Sequence, residues 1–153
     1  MSILSRETIH VIILLGDGRM EFKKSYKGFI IWMIVFMISI FFIALLPIED
    51  ESIAIKLVSN ITSIDLTILT YIIYKTEYIY WYTGLNYEDA LKAGSDKRKE
   101  YGYKHFKTFL RYSVIVFIYS IFAYCLGIPY WIDILIFVFG VIITAISTMR
   151  IEL

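Results

Sequence analysis

Residues 53–74 read IAIKLVSNITSIDLTILTYIIY, and the interpretation of this stretch determines the topology of the whole chain. A helix needs about twenty mostly apolar residues to cross a bilayer, so the stretch is long enough. Considered alone, its insertion is marginal, because Asp65 at its centre costs roughly 3 kcal/mol and each Ile, Leu or Val returns only about 0.5 kcal/mol. We therefore expect the segment to insert together with neighbouring spans.

Most polar side chains of this segment share one face of the predicted helix. They recur at alternating steps of four and three residues, which places them on a single stripe. The polar stripe consists of Lys56, Asn60, Ser63, Thr67, Thr70 and Tyr74. Asp65 faces nearly the opposite way. Because polar groups are costly in lipid, the stripe and Asp65 are both predicted to contact protein or water, and Asp65 is predicted to be paired or neutral.

The composition of the chain is typical of a membrane protein. Its 153 residues are 59% hydrophobic and 18% aromatic, with a mean hydropathy of +0.69, whereas soluble domains are about 45–50% apolar. A chain of this length is expected to form one domain. The single cysteine, Cys125, excludes an internal disulfide and is predicted to be a small buried residue.

Three further segments have the length and apolar character of membrane spans. They are residues 28–46, 109–128 and 130–149, and together with residues 53–74 they give four predicted spans. These spans belong to a membrane domain that covers residues 28–149. The link between the third and fourth spans is so short that they must form a hairpin. The predicted fold is therefore an all-α membrane protein with four transmembrane helices in two antiparallel hairpins.

The distribution of the 15 Lys and Arg residues predicts the orientation. With both termini on the cytoplasmic side, Lys56 is the only basic residue on the outer side of the membrane. This is the positive-inside pattern. If residues 53–74 did not cross the membrane, the basic segment 75–108 would be exported, so the charge asymmetry supports insertion of the polar span.

Residues 1–27 are predicted to be a cytoplasmic segment before the first span. A β-branched run precedes Asp17-Gly18 and an alternating run follows it, which favours a β-hairpin, with an interfacial helix as the alternative. The apolar core of this segment is too short for a signal peptide and lacks a small-residue cleavage site, so we do not expect cleavage.

Residues 75–108 are predicted to form a cytoplasmic helical segment between the second and third spans. Asn86 is placed to cap one helix, and Ser95 is placed to cap a second that can continue into the third span. An aromatic group stands before them, consisting of Tyr78, Tyr80, Trp81 and Tyr82. Such a group is typical of an aromatic belt at the membrane surface, with a ligand-stacking cluster as the alternative.

The second cytoplasmic helix carries a basic surface. Its members are Lys97, Arg98, Lys99, Lys104 and Lys107. Each basic residue close to a membrane contributes about 1 kcal/mol of attraction to anionic headgroups. We therefore predict that this surface rests on anionic lipid headgroups or contacts a partner, and we expect no nucleic acid.

The fourth span carries small residues at regular spacing. Gly140, Thr144 and Thr148 lie four residues apart, a pattern that lets helix backbones approach closely. Asp133, near the start of the same span, is predicted to lie at the membrane boundary, where a carboxylate costs less than at the centre.

The sequence contains no recognisable catalytic or metal-binding motif. His10 and His105 lie far apart and have no acidic partner at metal-ligand spacing, and HExxH, CxxC, GxSxG and Walker patterns do not occur. A lipid-headgroup enzyme using Glu88, Asp89 or His105 is the least favoured hypothesis. We therefore expect no enzymatic activity, no metal and no cofactor.

Two classes of function fit these observations. The first is an accessory, immunity-type or regulatory membrane subunit that packs against another membrane protein through its polar helix faces, with the loop of residues 75–107 as its cytoplasmic reader. The alternative is a homo-oligomeric pore, channel or small transporter lined by the polar stripe. The composition, rich in Ile, Lys and Tyr, is typical of low-GC bacterial genomes and predicts a location in the plasma (inner) membrane.

Overall fold

The structure is a computed structural model, and it describes residues 22–81 and 84–153. These ranges contain five α-helices, one short 3-10 helix and no strand. The helices are α1 (Lys27–Ala44), α2 (Glu51–Thr76), α3 (Tyr87–Ala93), α4 (Ser95–Cys125) and α5 (Tyr130–Met149), and the 3-10 helix covers Ile79–Trp81. The hairpin or interfacial helix expected around Asp17 lies outside the described residues.

Four of the helices, α1, α2, α4 and α5, are long and apolar enough to cross a membrane. They confirm the predicted all-helical class with four candidate spans. The polar segment 53–74 lies inside α2, and the helix predicted to begin near Ser95 continues without a break through the third span. The hairpin arrangement and the cytoplasmic position of the termini stay predictions.

Local sequence explains where the helices begin. The Asp50 carboxylate accepts hydrogen bonds from two backbone N–H groups in the first turn of α2. Asn86 caps α3 as predicted, because its side chain accepts a hydrogen bond of 2.7 Å from the Asp89 backbone N–H. The expected cap at Ser95 is wrong, since Ser95 lies within α4 and its hydroxyl donates to Glu77 instead.

The central element of the bundle is α2. It contacts α1, α4 and α5, and its seam with α4 is the most extensive of the three. Only Trp32 and Ile43 are buried in α1, so most of this helix is an apolar surface that faces away from the bundle. Long apolar surfaces of this kind fit a lipid environment and are unusual for a soluble monomer.

Two glycines allow the helices to approach closely. A Cβ atom at Gly102 would lie 2.9 Å from the Cα atom of Tyr74, so a side chain at this position would meet the α2 backbone. At Gly140 a Cβ atom would lie 2.6 Å from a ring atom of Tyr112. The Tyr112 hydroxyl donates a 2.9 Å hydrogen bond to the Phe137 carbonyl, which holds this ring against α5.

The aromatic residues after α2 form a buried cluster, so the predicted aromatic belt is wrong for those described. Tyr80 and Trp81 are buried. The Tyr80 hydroxyl accepts a 2.8 Å hydrogen bond from the Ser25 N–H, and the Trp81 indole donates to the Ser25 carbonyl at 2.7 Å. These bonds connect the chain before α1 to the chain after α2. Tyr82 lies outside the described residues.

We predict that Gly102→Ala destabilises the bundle. In an ordinary helix this substitution stabilises by about 1 kcal/mol, but here the added methyl group meets the α2 backbone and should cost about 1–3 kcal/mol. Thermal unfolding in detergent measures the effect. Val114→Ala on the exposed face of α4 is the control, expected to stay within about 0.5 kcal/mol of wild type. A Gly102→Ala protein of unchanged or higher stability would contradict the close approach of α2 and α4.

Candidate functional site

The polar stripe of α2 lies inside the bundle, with its first half against α4. The Asn60 side-chain amide donates a 2.8 Å hydrogen bond to the Ser120 hydroxyl. The hydroxyl oxygens of Ser63 and Ser113 lie 3.3 Å apart, and Ser63 has no exposed surface. These groups therefore bind a neighbouring helix of the same chain.

The second half of the stripe also packs against α4, with Thr67 and Thr70 buried and Tyr74 half-buried. The Thr67 hydroxyl donates to the backbone carbonyl of Phe109 in α4 at 3.2 Å. Thr70 is 1% exposed, and its hydroxyl bonds carbonyl groups of its own helix. The ring of Tyr74 stacks on Phe106, with 6.3 Å between the ring centroids. The stripe thus forms much of the interface between α2 and α4.

A buried ion pair that the sequence analysis missed connects α2 to α5. The Lys56 ammonium nitrogen lies 2.6 Å from Asp133 Oδ2, and these residues are 6% and 3% exposed. Lys56 also donates to the Ser52 hydroxyl at 2.6 Å. The Tyr119 hydroxyl of α4 donates to Asp133 Oδ1 at 2.8 Å. One carboxylate therefore joins α2, α4 and α5.

Asp133 lies in the first turn of α5, so its predicted position at the membrane boundary stays a prediction, whereas its burial against Lys56 and Tyr119 was not predicted. A signal for the pair was present in the sequence, because Lys56 and Asp133 both follow the start of a predicted span by about one turn. The predicted topology places those two starts on the same side of the membrane, so opposite charges stand at similar depth. Intramembrane charges usually pair with one another.

Asp65 lies on the α1 side of α2 and has a different environment. It is 7% exposed, and its Oδ2 atom is buried without a hydrogen-bond partner among the described residues. The Trp32 indole of α1 donates to the Asp65 backbone carbonyl at 3.0 Å and does not bond Oδ2. Of the two predicted states, paired or neutral, pairing is not found within the ranges that the structure describes.

Arg98, one of the five residues of the predicted basic surface, is buried. Its guanidinium donates to Glu77 Oε2 through Nε at 3.0 Å and Nη2 at 2.8 Å, and to the Ala90 carbonyl through Nη1 at 3.1 Å. The group also lies 3.9 Å from the ring centroid of Phe22. Arg98 therefore connects the end of α2 to α3 and α4, and its assignment to the surface is wrong.

The other members of the basic surface are exposed. They are Lys97, Lys99, Lys104 and Lys107. Lys99 lies 3.5 Å from a carboxylate oxygen of Glu77, and Lys104 lies 2.7 Å from Glu100. Two of these four lysines thus have an acidic partner on the protein.

Glu77 follows the last residue of α2 and binds the Arg98 guanidinium. Its φ of 61° is left-handed, a conformation that residues other than glycine seldom adopt. Burial raises the pKa of Glu77, but hydrogen bonds from Ser95 and Arg98 and the charges of Arg98 and Lys99 outweigh it, so the pKa lies below its ordinary value. Ionised Glu77 therefore stabilises the folded chain at pH values above the ordinary pKa of a glutamate. This stabilisation is lost as the pH falls through the lowered pKa of Glu77 in the folded state.

The predicted small-residue face of α5 also lies within the bundle. Thr144 and Thr148 are 7% and 2% exposed, and each hydroxyl donates to a carbonyl of its own helix at 2.7 Å. Gly140 lies against Tyr112 of α4. Cys125, predicted to be buried, is exposed at the end of α4.

The residues considered for chemistry do not converge. His105 is 2% exposed, and its Nδ1 atom lies 3.0 Å from the Tyr101 carbonyl. Glu88 and Asp89 are exposed in the first turn of α3. Across residues 22–81 and 84–153, no three His, Cys, Asp or Glu side chains are placed to hold a metal ion.

No family model, curated protein or solved structure matches this chain. Function is therefore inferred from its own geometry. That geometry defines a helical bundle with an enclosed polar stripe, a buried ion pair between Lys56 and Asp133, and a buried carboxyl group at Asp65.

We predict that Asp133→Leu destabilises the bundle by about 3–5 kcal/mol, because it leaves the Lys56 ammonium buried without its carboxylate. The double variant Lys56→Met/Asp133→Leu removes both charges and should recover most of the loss. Thermal unfolding of the three proteins in detergent measures the coupling. Additive losses in the double variant would contradict a direct ion pair.

We predict that Asp65→Leu stabilises the isolated protein. It removes a buried carboxyl group that lacks a hydrogen-bond partner, which should be worth about 1–3 kcal/mol. Asp65→Asn is the matched control, since it keeps a polar group of the same shape and should change stability much less. The denaturation midpoint provides the measurement, and a destabilised Asp65→Leu protein would indicate that Asp65 has a stabilising partner.

Proposed function

We propose that this chain is a small integral membrane protein that crosses the membrane four times and acts without catalysis, as an accessory, immunity-type or regulatory subunit of another membrane protein. Four helices of sufficient length and hydropathy support a membrane location. The positive-inside pattern supports cytoplasmic termini, and we place the protein in the plasma membrane.

The observation that supports a packing role is the position of the polar stripe. Asn60, Ser63 and Thr67 bond to α4, and Lys56 bonds to α5, all within one copy of the chain. Hydrogen bonds between helices are a common use of Ser, Thr and Asn in membranes. The polar groups therefore hold the bundle together, so a partner would meet the apolar outer surface and not the polar helix faces that the sequence predicted for this contact.

The surface that best fits a partner helix is α1. Its side chains Ile31, Met37, Phe41 and Phe42 are 62–65% exposed. Asp65 lies close to this helix, since its backbone carbonyl accepts a hydrogen bond from the Trp32 indole of α1. The Asp65 Oδ2 atom is buried, so a partner helix with a hydroxyl, amide or basic side chain would reach it only if the bundle opened on this side.

The pore hypothesis has less support. A water path lined by the stripe requires these side chains to face a channel, whereas Ser63 and Thr70 are 0% and 1% exposed. The enclosed cavity beside Lys56 and Asp133 measures about 10 Å³, room for about one water molecule. The larger groove of about 350 Å³ beside Lys56 and Asn60 is an open surface groove. A pore would therefore need α2 and α4 to separate along their most extensive seam.

Native mass spectrometry of the protein, gently extracted from its own membrane, tests the proposal. We expect a stoichiometric complex with a second membrane protein, whose identity would name the process that the chain serves. A discrete homo-oligomer with no other protein would contradict the accessory role and would favour the pore.

We predict that Ser63→Leu and Thr67→Leu disrupt folding and complex formation. Each adds bulk to the closed α2–α4 seam, at a cost of about 1–3 kcal/mol. Ile68→Leu at an exposed position of α2 is the control and should leave assembly unchanged. Assembly is followed by co-purification, and ion flux is followed in liposomes. Wild-type flux that either variant blocks, with assembly intact, would contradict the packing role.

A further inference from the structure

Four aromatic rings cross the seam between α2 and α4 near the end of α2. These rings, which we call the seam cluster, belong to Tyr71, Tyr74, Tyr103 and Phe106. The centroids of Tyr71 and Phe106 lie 5.4 Å apart, and those of Tyr74 and Tyr103 lie 5.6 Å apart. Tyr71 and Tyr103 are 44% and 46% exposed. The cluster is therefore a surface feature that both helices build.

One lysine from each helix lies over the seam cluster. The Lys75 ammonium nitrogen is 5.6 Å from the ring centroid of Tyr71 and 5.4 Å from that of Tyr74. The Lys107 ammonium nitrogen is 6.0 Å from the ring centroid of Tyr103. These distances are typical of cation–π contacts, which orient an ammonium group without neutralising its charge.

Neither of these two lysines has an acidic partner among the described residues, a property that Lys92, Lys97 and Arg111 share, so their contacts with the seam cluster are what distinguish them. Lys56, Lys99 and Lys104 each lie within ion-pair distance of a carboxylate. In the part of the chain that the structure describes, neither Lys75 nor Lys107 does so. Their positive charges are therefore available to an anion from outside the protein.

The depth of the seam cluster matches the headgroup region of a membrane. Lys75 stands in the last turn of α2, and tyrosine and lysine are the residues that mark the ends of membrane spans. Farther along the same helices, Ile68 and Leu110 are 43% and 41% exposed. Apart from the exposed Arg111, the surface therefore changes from cationic and aromatic to mainly apolar, as a phospholipid changes from headgroup to acyl chain.

We propose that Lys75 and Lys107, together with the seam cluster, form a binding site for the phosphate headgroup of an anionic phospholipid in the cytoplasmic leaflet. The two ammonium groups hold the phosphate, and the apolar side chains toward Ile68 and Leu110 contact the acyl chains. The inference rests on the proposed membrane location, and it adds a ligand class and a pair of residues that connect α2 to α4.

Lipid binding by purified protein, measured by native mass spectrometry, tests this site. The probes are phosphatidylglycerol and phosphatidylcholine with identical acyl chains. We expect wild type to prefer phosphatidylglycerol, and Lys75→Gln/Lys107→Gln to lose about fivefold in affinity for each lysine removed. Lys92→Gln/Lys97→Gln is the matched control, because it makes the same charge change at exposed lysines that lie over no ring of the described chain.

Three outcomes would overturn the site. Equal losses in the two double variants would mean that binding follows overall charge. An unchanged preference in Lys75→Gln/Lys107→Gln would place the lipid elsewhere. Displacement of the lipid by equimolar inorganic phosphate would make free phosphate the ligand.

Failure of this site can be distinguished from failure of the proposed membrane location. Recovery of the wild-type chain from cells in the soluble fraction would contradict the membrane location itself. Loss of lipid preference with an intact partner complex would concern this site alone.

Discussion

Polar groups that enter a bilayer must find partners in protein, and this constraint explains the arrangement of the whole bundle around α2. The helix is too polar to expose every face to lipid. Its stripe is covered by α4 and α5, and the face with Asp65 is next to α1. The covering helices in turn present apolar side chains outward. The three other long helices thus provide the environment in which α2 can cross the membrane.

The two buried carboxyl groups in the long helices, those of Asp133 and Asp65, differ in whether their oxygens have hydrogen-bond partners. Asp133 has both oxygens bonded, to Lys56 and Tyr119, and it closes the contact between three helices. Asp65 has a buried oxygen that no described group bonds, beside the most exposed helix of the bundle. The first arrangement serves stability within the chain. The second leaves a buried polar atom without a bond, and the proposed partner surface lies along the neighbouring α1 because its apolar side chains are exposed.

Length, hydropathy and helical periodicity were enough to predict the four long helices and the separate face of Asp65, because these are local properties of the chain. The ion pair joins residues 77 positions apart, and only the packing of α5 on α2 brings them together. Arg98 looked like part of a surface because its neighbours are basic, yet Glu77 and Phe22 bury it. Tyr80 and Trp81 would suit either a surface aromatic belt or a buried aromatic cluster, because both have the same composition. Their hydrogen bonds to Ser25, which only the folded structure reveals, identify the buried cluster.

The most direct test of the account is the accessibility of the stripe in native membranes. A Ser63→Cys variant in a Cys125→Ser background is treated with a water-soluble thiol reagent, and Lys97→Cys at an exposed position serves as the reference. If the stripe joins helices within one copy of the chain, position 63 stays unlabelled until the protein is denatured, while position 97 reacts at once. Rapid labelling of both positions in the native membrane would contradict the account, because it would mean that water reaches the stripe.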